Sequence, residues 1–174
     1  MPLTTLGEPR RAIQEMAMAK STPATAALTR AGASFELHTY DYDPDADSIG
    51  LHAAESLGVP PSIMLKTLIV RVDGRPACIV LPSDREASMK KVAAALGGKA
   101  AEMARPADAE RITGYRVGGV SPFGQKKRLP TVLDAAAAEL PAAYVNGGQR
   151  GLQVRLAPAD VVRLLDAIVA EIAA

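Results

Sequence analysis

The sequence predicts a mixed α/β fold of the α+β type, with a mixed, mostly antiparallel β-sheet or partial barrel surrounded by helices. Helix and strand signals alternate only irregularly along the chain, which disfavours a doubly wound parallel sheet. Two β-rich runs flank Asp73-Gly74, the strongest hairpin signal in the chain. The chain has 174 residues, 48% of them apolar, enough to bury a core. We expect one domain over residues 21–174, preceded by an extension over 1–20.

The elements before the hairpin are predicted from capping residues, breakers and side-chain alternation. A threonine followed by proline favours the first turn of a helix, and alternating apolar and polar residues favour a strand. The predicted elements are, in order, a helix from Thr22-Pro23 to Gly32, a strand over 35–40, an acidic loop over 41–47, and a helix over 51–57 that Ser48 caps and Gly58 ends.

The same signals extend from the hairpin to the end of the chain. The hairpin strands are expected over 65–72 and 77–81. Glycines and prolines then divide the rest of the chain into helices, a long glycine-rich loop and short strands. The predictions are helices over 86–96 and 106–114, a loop over 115–128, strands over 131–133, 143–146 and 153–156, and an amphipathic helix over 161–170.

Net charge and cysteine content restrict the class of protein. The formal net charge is +1, so any nucleic-acid binding must come from local basic clusters. The single cysteine, Cys78, excludes an internal disulfide and fits a reducing cytosol. No apolar run has the length of a signal peptide core or a membrane span. We therefore expect a cytoplasmic protein without a membrane partner.

Several familiar catalytic and binding motifs are approached but not completed. The acidic loop over 41–47 lacks the glycine and the glutamate of an EF-hand. In the stretch 119–126 the lysine comes one residue late for a phosphate-binding P-loop, and Ser121 lacks the second glycine of a nucleophile elbow. His38 and His52 have no Ser or Cys partner at a telling spacing, which disfavours a Ser-His-Asp or Cys-His hydrolase. With two histidines and one cysteine, no metal or cofactor is predicted.

Lys66 is the unusual residue of the first hairpin strand. Alternation puts it on one face with Leu68 and Val70, and the opposite face is largely apolar as well. Such a lysine either extends to solvent from the strand's end or is held in a cleft, where desolvation and ligand charge control its protonation. Spacing alone favours the first interpretation.

An ordered series of short motifs runs from residue 22 to residue 151. Its members are Thr22-Pro-Ala24, His38-Thr-Tyr-Asp41, Ala53-Ala-Glu-Ser-Leu-Gly58, Lys66-Thr-Leu-Ile-Val70, Gly114-Tyr115, Gly118-Gly-Val-Ser-Pro-Phe-Gly-Gln-Lys-Lys-Arg128 and Tyr144-Val-Asn-Gly-Gly-Gln-Arg-Gly151. In this order and spacing the series resembles the YbaK family, the bacterial Cys-tRNA(Pro) deacylases related to the editing domain of prolyl-tRNA synthetase. The resemblance implies the YbaK aminoacyl-tRNA editing domain fold, and the two glycine-rich motifs are its most specific part.

The resemblance also implies roles for individual residues. Lys66 matches the central functional lysine, where a cation beside the ester would hold the substrate and favour developing negative charge. Glycine backbones would approach the aminoacyl group, and their amides are candidate donors to its carbonyl oxygen. The implied substrate-binding residues are Tyr40, Ile49, Gly118, Gly119, Ser121, Pro122, Asn146, Gly147 and Gly148, and the implied contacts to acceptor-stem phosphates are Lys126, Lys127 and Arg128.

The implied activity is hydrolysis of a wrong amino acid from aminoacyl-tRNA(Pro), with prolyl-tRNA synthetase as a further partner. For a cysteinyl substrate, its own thiol would attack the ester to give a thiolactone. Two departures bear on the amino acid: Asn146 stands where these deacylases tend to have serine, and Ile49 where an aromatic residue is often found. The alternatives are a deacylase for another aminoacyl-tRNA that uses water, and a non-catalytic tRNA-binding or synthetase-binding module. The sequence leaves the oligomeric state open.

Overall fold

The computed structural model describes residues 21–174, so the predicted extension over 1–20 lies outside the described residues. The described part combines short helices and strands. The helices are α1 (Pro23–Arg30), α2 (Ile49–Leu57), α3 (Met89–Ala95), α4 (Pro106–Thr113), α5 (Ala135–Ala138) and α6 (Pro158–Leu165). The strands are β1 (Glu36–Thr39), β2 (Leu65–Val72), β3 (Arg75–Pro82), β4 (Ala101–Met103), β5 (Thr131–Asp134), β6 (Ala143–Asn146), β7 (Leu152–Leu156) and β8 (Ile168–Ala170).

The strands form two open sheets. The larger has the order β4-β2-β3-β5-β8, in which β3–β5 and β5–β8 are parallel and the other pairs antiparallel. The smaller has the order β1-β7-β6 and is antiparallel throughout. An isolated bridge between Met64 and Tyr144 connects the two sheets. The predicted fold class, a mixed and mostly antiparallel sheet with helices around it, is confirmed.

The hairpin of β2 and β3 forms where the sequence predicts it. The strands pair in continuous register from Leu65 opposite Pro82 to Val72 opposite Arg75. Asp73 and Gly74 have φ angles of 49° and 81°. Positive φ at both central residues gives a turn whose twist matches that of the strands. This hairpin carries Lys66 into the middle of the molecule.

Both predicted caps in the first third of the chain are present. Thr22 accepts a hydrogen bond from the Thr25 amide and forms a capping box at the start of α1. Ser48 accepts one from Leu51 at the start of α2, which Gly58 ends. These caps fix the helix ends that lie beside the two glycine-rich motifs and the hairpin.

The helix predicted over 86–96 begins later, at Met89. Ser88 is its N-cap, and residues 86–88 pair with the end of the chain instead of joining the helix. The Ser88 amide donates to the Ile172 carbonyl oxygen, and the Ala174 amide donates to that of Glu86. Backbone pairing with a distant segment therefore replaces the first helical turn.

The amphipathic helix predicted over 161–170 is wrong in its second half. α6 ends at Leu165, and Asp166 adopts a left-handed conformation with φ of 50°. Ile168 and Val169 then pair in parallel with Val132 and Leu133 of β5. Sheet pairing by β-branched residues prevails there over the helical spacing. The short elements β4 and α5 were not predicted.

The two faces of the smaller sheet differ in polarity. One face packs into the main apolar core through Leu37, Val145 and Val154. Across the antiparallel registers, His38, Gln153 and Asn146 share the opposite face, which α2 partly covers through contacts to Tyr144. Two buried polar side chains, Asn146 and Gln153, therefore lie on this face beside the partly exposed His38. No helix among residues 21–174 is long and apolar enough to cross a membrane.

Candidate active site

A cavity of about 310 Å³ lies where the two sheets diverge. The sheets meet at the Met64–Tyr144 bridge, and β4 pairs only with residues 70–72 of β2. Within the described part of the chain, no strand covers the β4-side edge of β2 over residues 65–69. The cavity is lined by Ser48, Ile49, Gly50, Leu65, Lys66, Thr67, Leu68, Ile69, Met103, Ala104, Pro106, Ala109, Val117, Gly118, Val120, Asn146 and Gln153.

Lys66 is half-buried in the wall of this cavity. Burial lowers the pKa of its ammonium, while the negative charges of Glu86 and Asp84 act in the opposite direction. No carboxylate among residues 21–174 lies within ion-pairing distance of it. The sequence left two interpretations open, extension to solvent or a place in a cleft, and Lys66 lies in a cleft. The first turn of α2, at Ser48 to Gly50, lines the same cavity and adds the positive end of a helix dipole.

Three buried polar atoms near the cavity have no hydrogen-bond partner in the described structure: Thr67 Oγ1, Gln153 Oε1 and the Tyr40 hydroxyl. Thr67 and Gln153 line the cavity, and Gln153 is only 4% exposed. The Tyr40 hydroxyl is a neighbour of the Gln153 amide but lacks hydrogen-bond geometry. Burial raises the pKa of Tyr40, so its hydroxyl stays protonated. Unpaired buried polar groups are costly, so a molecule bound in the cavity, water or ligand, is expected to supply their hydrogen-bond partners.

Sequence reasoning missed both Thr67 and Gln153. The available signal was a polar residue inside an otherwise apolar strand, as Gln153 stands between Leu152 and Val154. Tyr40, by contrast, was predicted. It lies behind Gln153 and is not among the residues that line the cavity.

Asn146 lines the cavity as predicted, but its side chain is committed to the protein. Its Nδ2 donates to the Gly118 carbonyl oxygen at 3.2 Å. Its Oδ1 accepts from the Gly148 amide at 2.7 Å and from the Gln149 amide at 3.2 Å. The side chain therefore ties the two glycine-rich motifs together.

Gly118 and Gly119 are required by contacts within the protein. Gly118 has φ of +89°, and a β-carbon there would come within 2.7 Å of the Tyr42 hydroxyl oxygen. A β-carbon on Gly119 would come within 2.8 Å of the Arg150 backbone nitrogen. The two motifs therefore pack backbone against backbone beside Lys66.

Three of the four glycine amides named as candidate donors to a carbonyl oxygen are engaged within the protein. The Gly119 amide donates to Arg116 at 2.8 Å, and the Gly147 amide donates to Leu152 at 2.9 Å. The Gly148 amide is bound by Asn146. Of the four, Gly118 is the one that lines the cavity.

The remaining predicted residues lie away from the cavity lining. Ser121 is fully buried and accepts a hydrogen bond from the Phe123 amide at 3.1 Å. Pro122 and Arg128 line a second cavity of about 230 Å³ beside α1 and α6. Lys126, Lys127 and Arg128 are exposed on the long loop. The structure therefore brings Lys66, Ile49, Gly118 and Asn146 together at one cavity, and not the rest.

Comparisons with known proteins agree with the fold and the motifs. The family model described as "Aminoacyl-tRNA editing domain" matches residues 43–164. The chain is 42% identical over 120 residues to EbsC of Enterococcus faecalis, a candidate Cys-tRNA(Pro)/Cys-tRNA(Cys) deacylase, covering 68% of this chain and 73% of that protein. It is 26% identical over 144 residues to the multifunctional Ser/Thr-tRNA deacylase ProXp-y of Escherichia coli, covering 80% and 84%. It is also 34% identical over 94 residues to the proline–tRNA ligase of Geobacillus thermodenitrificans, but spans only 16% of that enzyme.

A solved structure supports the fold independently. A candidate trans-editing enzyme for prolyl-tRNA synthetase superimposes with a TM-score of 0.76 at 23% identity, covering 87% of this chain and 95% of that one. At this level of identity the match bears on the fold alone. The family model covers well over half of the chain, and the resemblance noted in its motifs is thereby confirmed. The chain belongs to the aminoacyl-tRNA editing domain family.

Proposed function

We propose that this protein is a trans-editing hydrolase that deacylates mischarged tRNA(Pro), with Cys-tRNA(Pro) as its main substrate. The chain is an aminoacyl-tRNA deacylase, as its family membership and its named relatives indicate. The observation that carries the proposal is a half-buried Lys66 that has no carboxylate partner among residues 21–174 and lies in the wall of a largely apolar cavity. An ammonium in such a place attracts an anionic or ester oxygen more strongly than it would in water.

The positive charge of Lys66 and of the α2 N-terminus favours binding of electronegative substrate atoms in their part of the cavity. Lys66 and the first turn of α2 can hold the oxygen atoms of the terminal nucleotide or the ester carbonyl. The described lining contains no Cys or His, the Ser48 hydroxyl caps α2, and the Thr67 hydroxyl has no histidine in that lining to activate it as a nucleophile. Attack is therefore left to the substrate or to water. The protein's contribution is to orient the ester, which can supply several kcal/mol of the barrier reduction.

In the cysteinyl case the substrate supplies its own nucleophile. The cysteinyl sulfur bonds to the ester carbonyl carbon, the bond from that carbon to the ribose oxygen breaks, and the thiol proton passes to the released ribose oxygen, which becomes a hydroxyl. The product is a thiolactone, which water then opens to free cysteine. Lys66 stabilises the oxygen that becomes negative during each attack.

The unpaired atoms at the polar end of the cavity suit the aminoacyl group. Gln153 Oε1 and Thr67 Oγ1 can both accept hydrogen bonds, and the α-ammonium of an aminoacyl ester is a donor. Binding it would satisfy two costly buried acceptors at once. The aminoacyl end then lies against the smaller sheet, and the terminal nucleotide lies towards the exposed apolar rim at Met103 and Val117.

A second candidate is a deacylase for hydroxyl-bearing amino acids that uses water. The relative that favours it is the Ser/Thr-tRNA deacylase of Escherichia coli, which the chain matches over most of both lengths. The same two acceptors could bind a seryl or threonyl hydroxyl. This alternative predicts no special advantage for a thiol.

A deacylation panel tests the proposal. Purified protein is incubated with Cys-, Ser-, Thr- and Ala-tRNA(Pro), and loss of each ester is followed in parallel with Lys66→Ala. We expect Cys-tRNA(Pro) to be cleaved fastest and Lys66→Ala to lose at least about a hundredfold in rate, as does removal of a comparable charge-stabilising group, while its circular dichroism is unchanged. Equal cleavage of seryl and cysteinyl esters would exclude the thiol mechanism. Full activity in Lys66→Ala would exclude the site, and absence of any cleavage would leave a non-catalytic binding module.

The partners are inferred from the substrate. Aminoacyl-tRNA(Pro) is the proposed ligand, and the similarity to part of a proline–tRNA ligase supports prolyl-tRNA synthetase as a source of mischarged tRNA. We propose a cytoplasmic protein, because that is where a cytosolic synthetase would release its mischarged product.

A further inference from the structure

Arg150 joins three segments around the Lys66 cavity without lining it. Its Nε donates a hydrogen bond to the Val117 carbonyl oxygen at 3.0 Å. Its guanidinium carbon lies 5.1 Å from the centre of the Tyr42 ring, which is within range of a cation–π contact. Tyr42 belongs to the acidic loop that precedes α2. One side chain of the second glycine-rich motif therefore contacts both the acidic loop and the residue that precedes the first motif.

These contacts bear directly on the cavity wall. Val117 and Gly118 line the cavity, whereas Arg150 and Tyr42 do not. The α-carbon of Gly118 packs against the Tyr42 hydroxyl, and that of Gly119 packs against the Arg150 backbone. The segment 117–119 is thus held between the Tyr42 ring on one side and the 149–150 backbone on the other. Asn146 adds a third attachment through the Gly118 carbonyl oxygen.

We propose that Arg150 and Tyr42 form a clamp that positions the 117–119 wall of the cavity relative to Lys66. Arg150 is a positioning residue, since it acts through Val117 and Gly118 and does not touch the cavity. The inference rests on the proposed deacylase function for its kinetic consequence, but the clamp itself is a property of the free protein.

An exposed arginine near a tRNA-binding cavity could instead contact a phosphate. The two roles make different demands on the side chain. A phosphate contact needs a positive charge, which lysine also provides. Stacking on Tyr42 while Nε donates to Val117 needs the planar guanidinium. Arg150→Lys therefore separates the roles, because it keeps the charge and removes the geometry.

The kinetic test compares Arg150→Lys, Tyr42→Leu and their combination on the aminoacyl-tRNA(Pro) that the wild type cleaves best. We expect kcat to fall roughly tenfold to a hundredfold in each single variant, with KM changed little, because misplacement of the wall by about 1 Å has effects of this size. The double variant should lose no more than the worse single variant, as expected for two residues of one unit. Tyr42→Phe keeps the ring that Arg150 stacks on and removes only the hydroxyl that packs against Gly118, so its loss of kcat should be smaller than that of Tyr42→Leu. Arg163→Lys, which alters an arginine paired with Asp160 on α6, is the matched control.

A structural readout accompanies the kinetics. The Gly119 amide donates to the Arg116 carbonyl oxygen, so its hydrogen exchange reports order in the wall. We expect faster exchange at Gly119 in Arg150→Lys and Tyr42→Leu, and unchanged exchange in Arg163→Lys. Unchanged exchange in the first two variants would overturn the clamp, as would full activity of Arg150→Lys. If the wild type cleaves no ester, the proposed function fails while the exchange measurement still decides about the clamp.

Discussion

At the scale of single residues, the site consists of polar groups that the protein leaves unmatched. Lys66 is half-buried. Burial makes its charged form less favourable, which lowers the pKa of its ammonium and costs folding free energy while the group is charged. The free-energy cost is fully present below the pKa that Lys66 has in the folded state and is absent above the pKa that it has in the unfolded chain. The free energy of unfolding therefore rises with pH between these two pKa values. Gln153 and Thr67 carry buried acceptors that have no donor among residues 21–174. Under the proposed function, a bound substrate would supply each of these groups with a partner.

The unmatched acceptor of Gln153 predicts opposite effects on stability and on activity. Gln153→Met keeps the length of the side chain and removes the unpaired oxygen. We expect the free energy of unfolding in urea to rise by about 1 kcal/mol, because a buried polar atom without a partner costs about that much. We expect KM for aminoacyl-tRNA to rise in the same variant, because an acceptor for the substrate is lost.

An exposed glutamine provides the control for that experiment. Gln149→Met makes the same chemical change at an exposed side chain and should alter neither quantity. A Gln153→Met protein that is less stable and fully active would show that the side chain serves only the fold.

At the scale of elements, the start of α1 does more than begin a helix. The Thr22 hydroxyl caps α1 and also donates to the Gly147 carbonyl oxygen at 2.5 Å. The cap therefore links the helix to the turn between β6 and β7. Ser88 is a cap of the other kind, since its hydroxyl serves only the first turn of α3.

The two caps should differ in their effect on activity. Thr22→Ala should reduce the free energy of unfolding by about 1–2 kcal/mol, the usual cost of losing a capping residue. It should also lower deacylation, because the Gly147 turn loses an attachment. Ser88→Ala should cost about 1 kcal/mol and leave deacylation unchanged. Urea unfolding and initial rates measure both effects, and equal loss of activity in the two variants would contradict the difference in roles.

Local signals predicted the elements that local chemistry determines. Thr22, Ser48 and Asp73-Gly74 specify caps and a turn through their own side chains and backbone, and all three features are present. The strand at Ile168 was missed because its partner in β5 is more than thirty residues earlier in the chain, and helical spacing gave no warning of it. The late start of α3 has the same origin, because residues 86–88 form backbone hydrogen bonds with the distant residues 172–174.

At the scale of the whole molecule, bulk charge gives no sign of a nucleic-acid partner. The formal net charge is +1, so any affinity for tRNA must come from where cations are placed. Lys126, Lys127 and Arg128 form an exposed run on the long loop. The motifs predicted four residues of the cavity lining. Thr67 and Gln153 could not be predicted, because it is the packing of the two sheets that leaves their side-chain oxygens without hydrogen-bond partners in the described structure.

The basic run predicts a measurable salt dependence. Lys126→Ala with Lys127→Ala should weaken tRNA binding and reduce the slope of log affinity against log salt by about 1.5, since each phosphate contact contributes about 0.7–0.9. Lys90→Ala with Lys99→Ala removes the same charge from exposed positions on and after α3 and serves as the control. Equal slopes in the two double variants would remove the basic run from the binding surface.

The short length of β4 has a consequence for how such a site can change. β4 ends at Met103, and Pro106, which has no amide hydrogen to pair with a strand, comes soon after at the start of α4. The opening along β2 therefore extends from Lys66 to the point where β4 begins to pair. Moving that proline by a residue or two would lengthen or shorten the aperture without altering Lys66 or either glycine-rich motif. Under the proposed function, the length of β4 would therefore limit the size of the substrate, and insertions or deletions could adjust that length without changing Lys66.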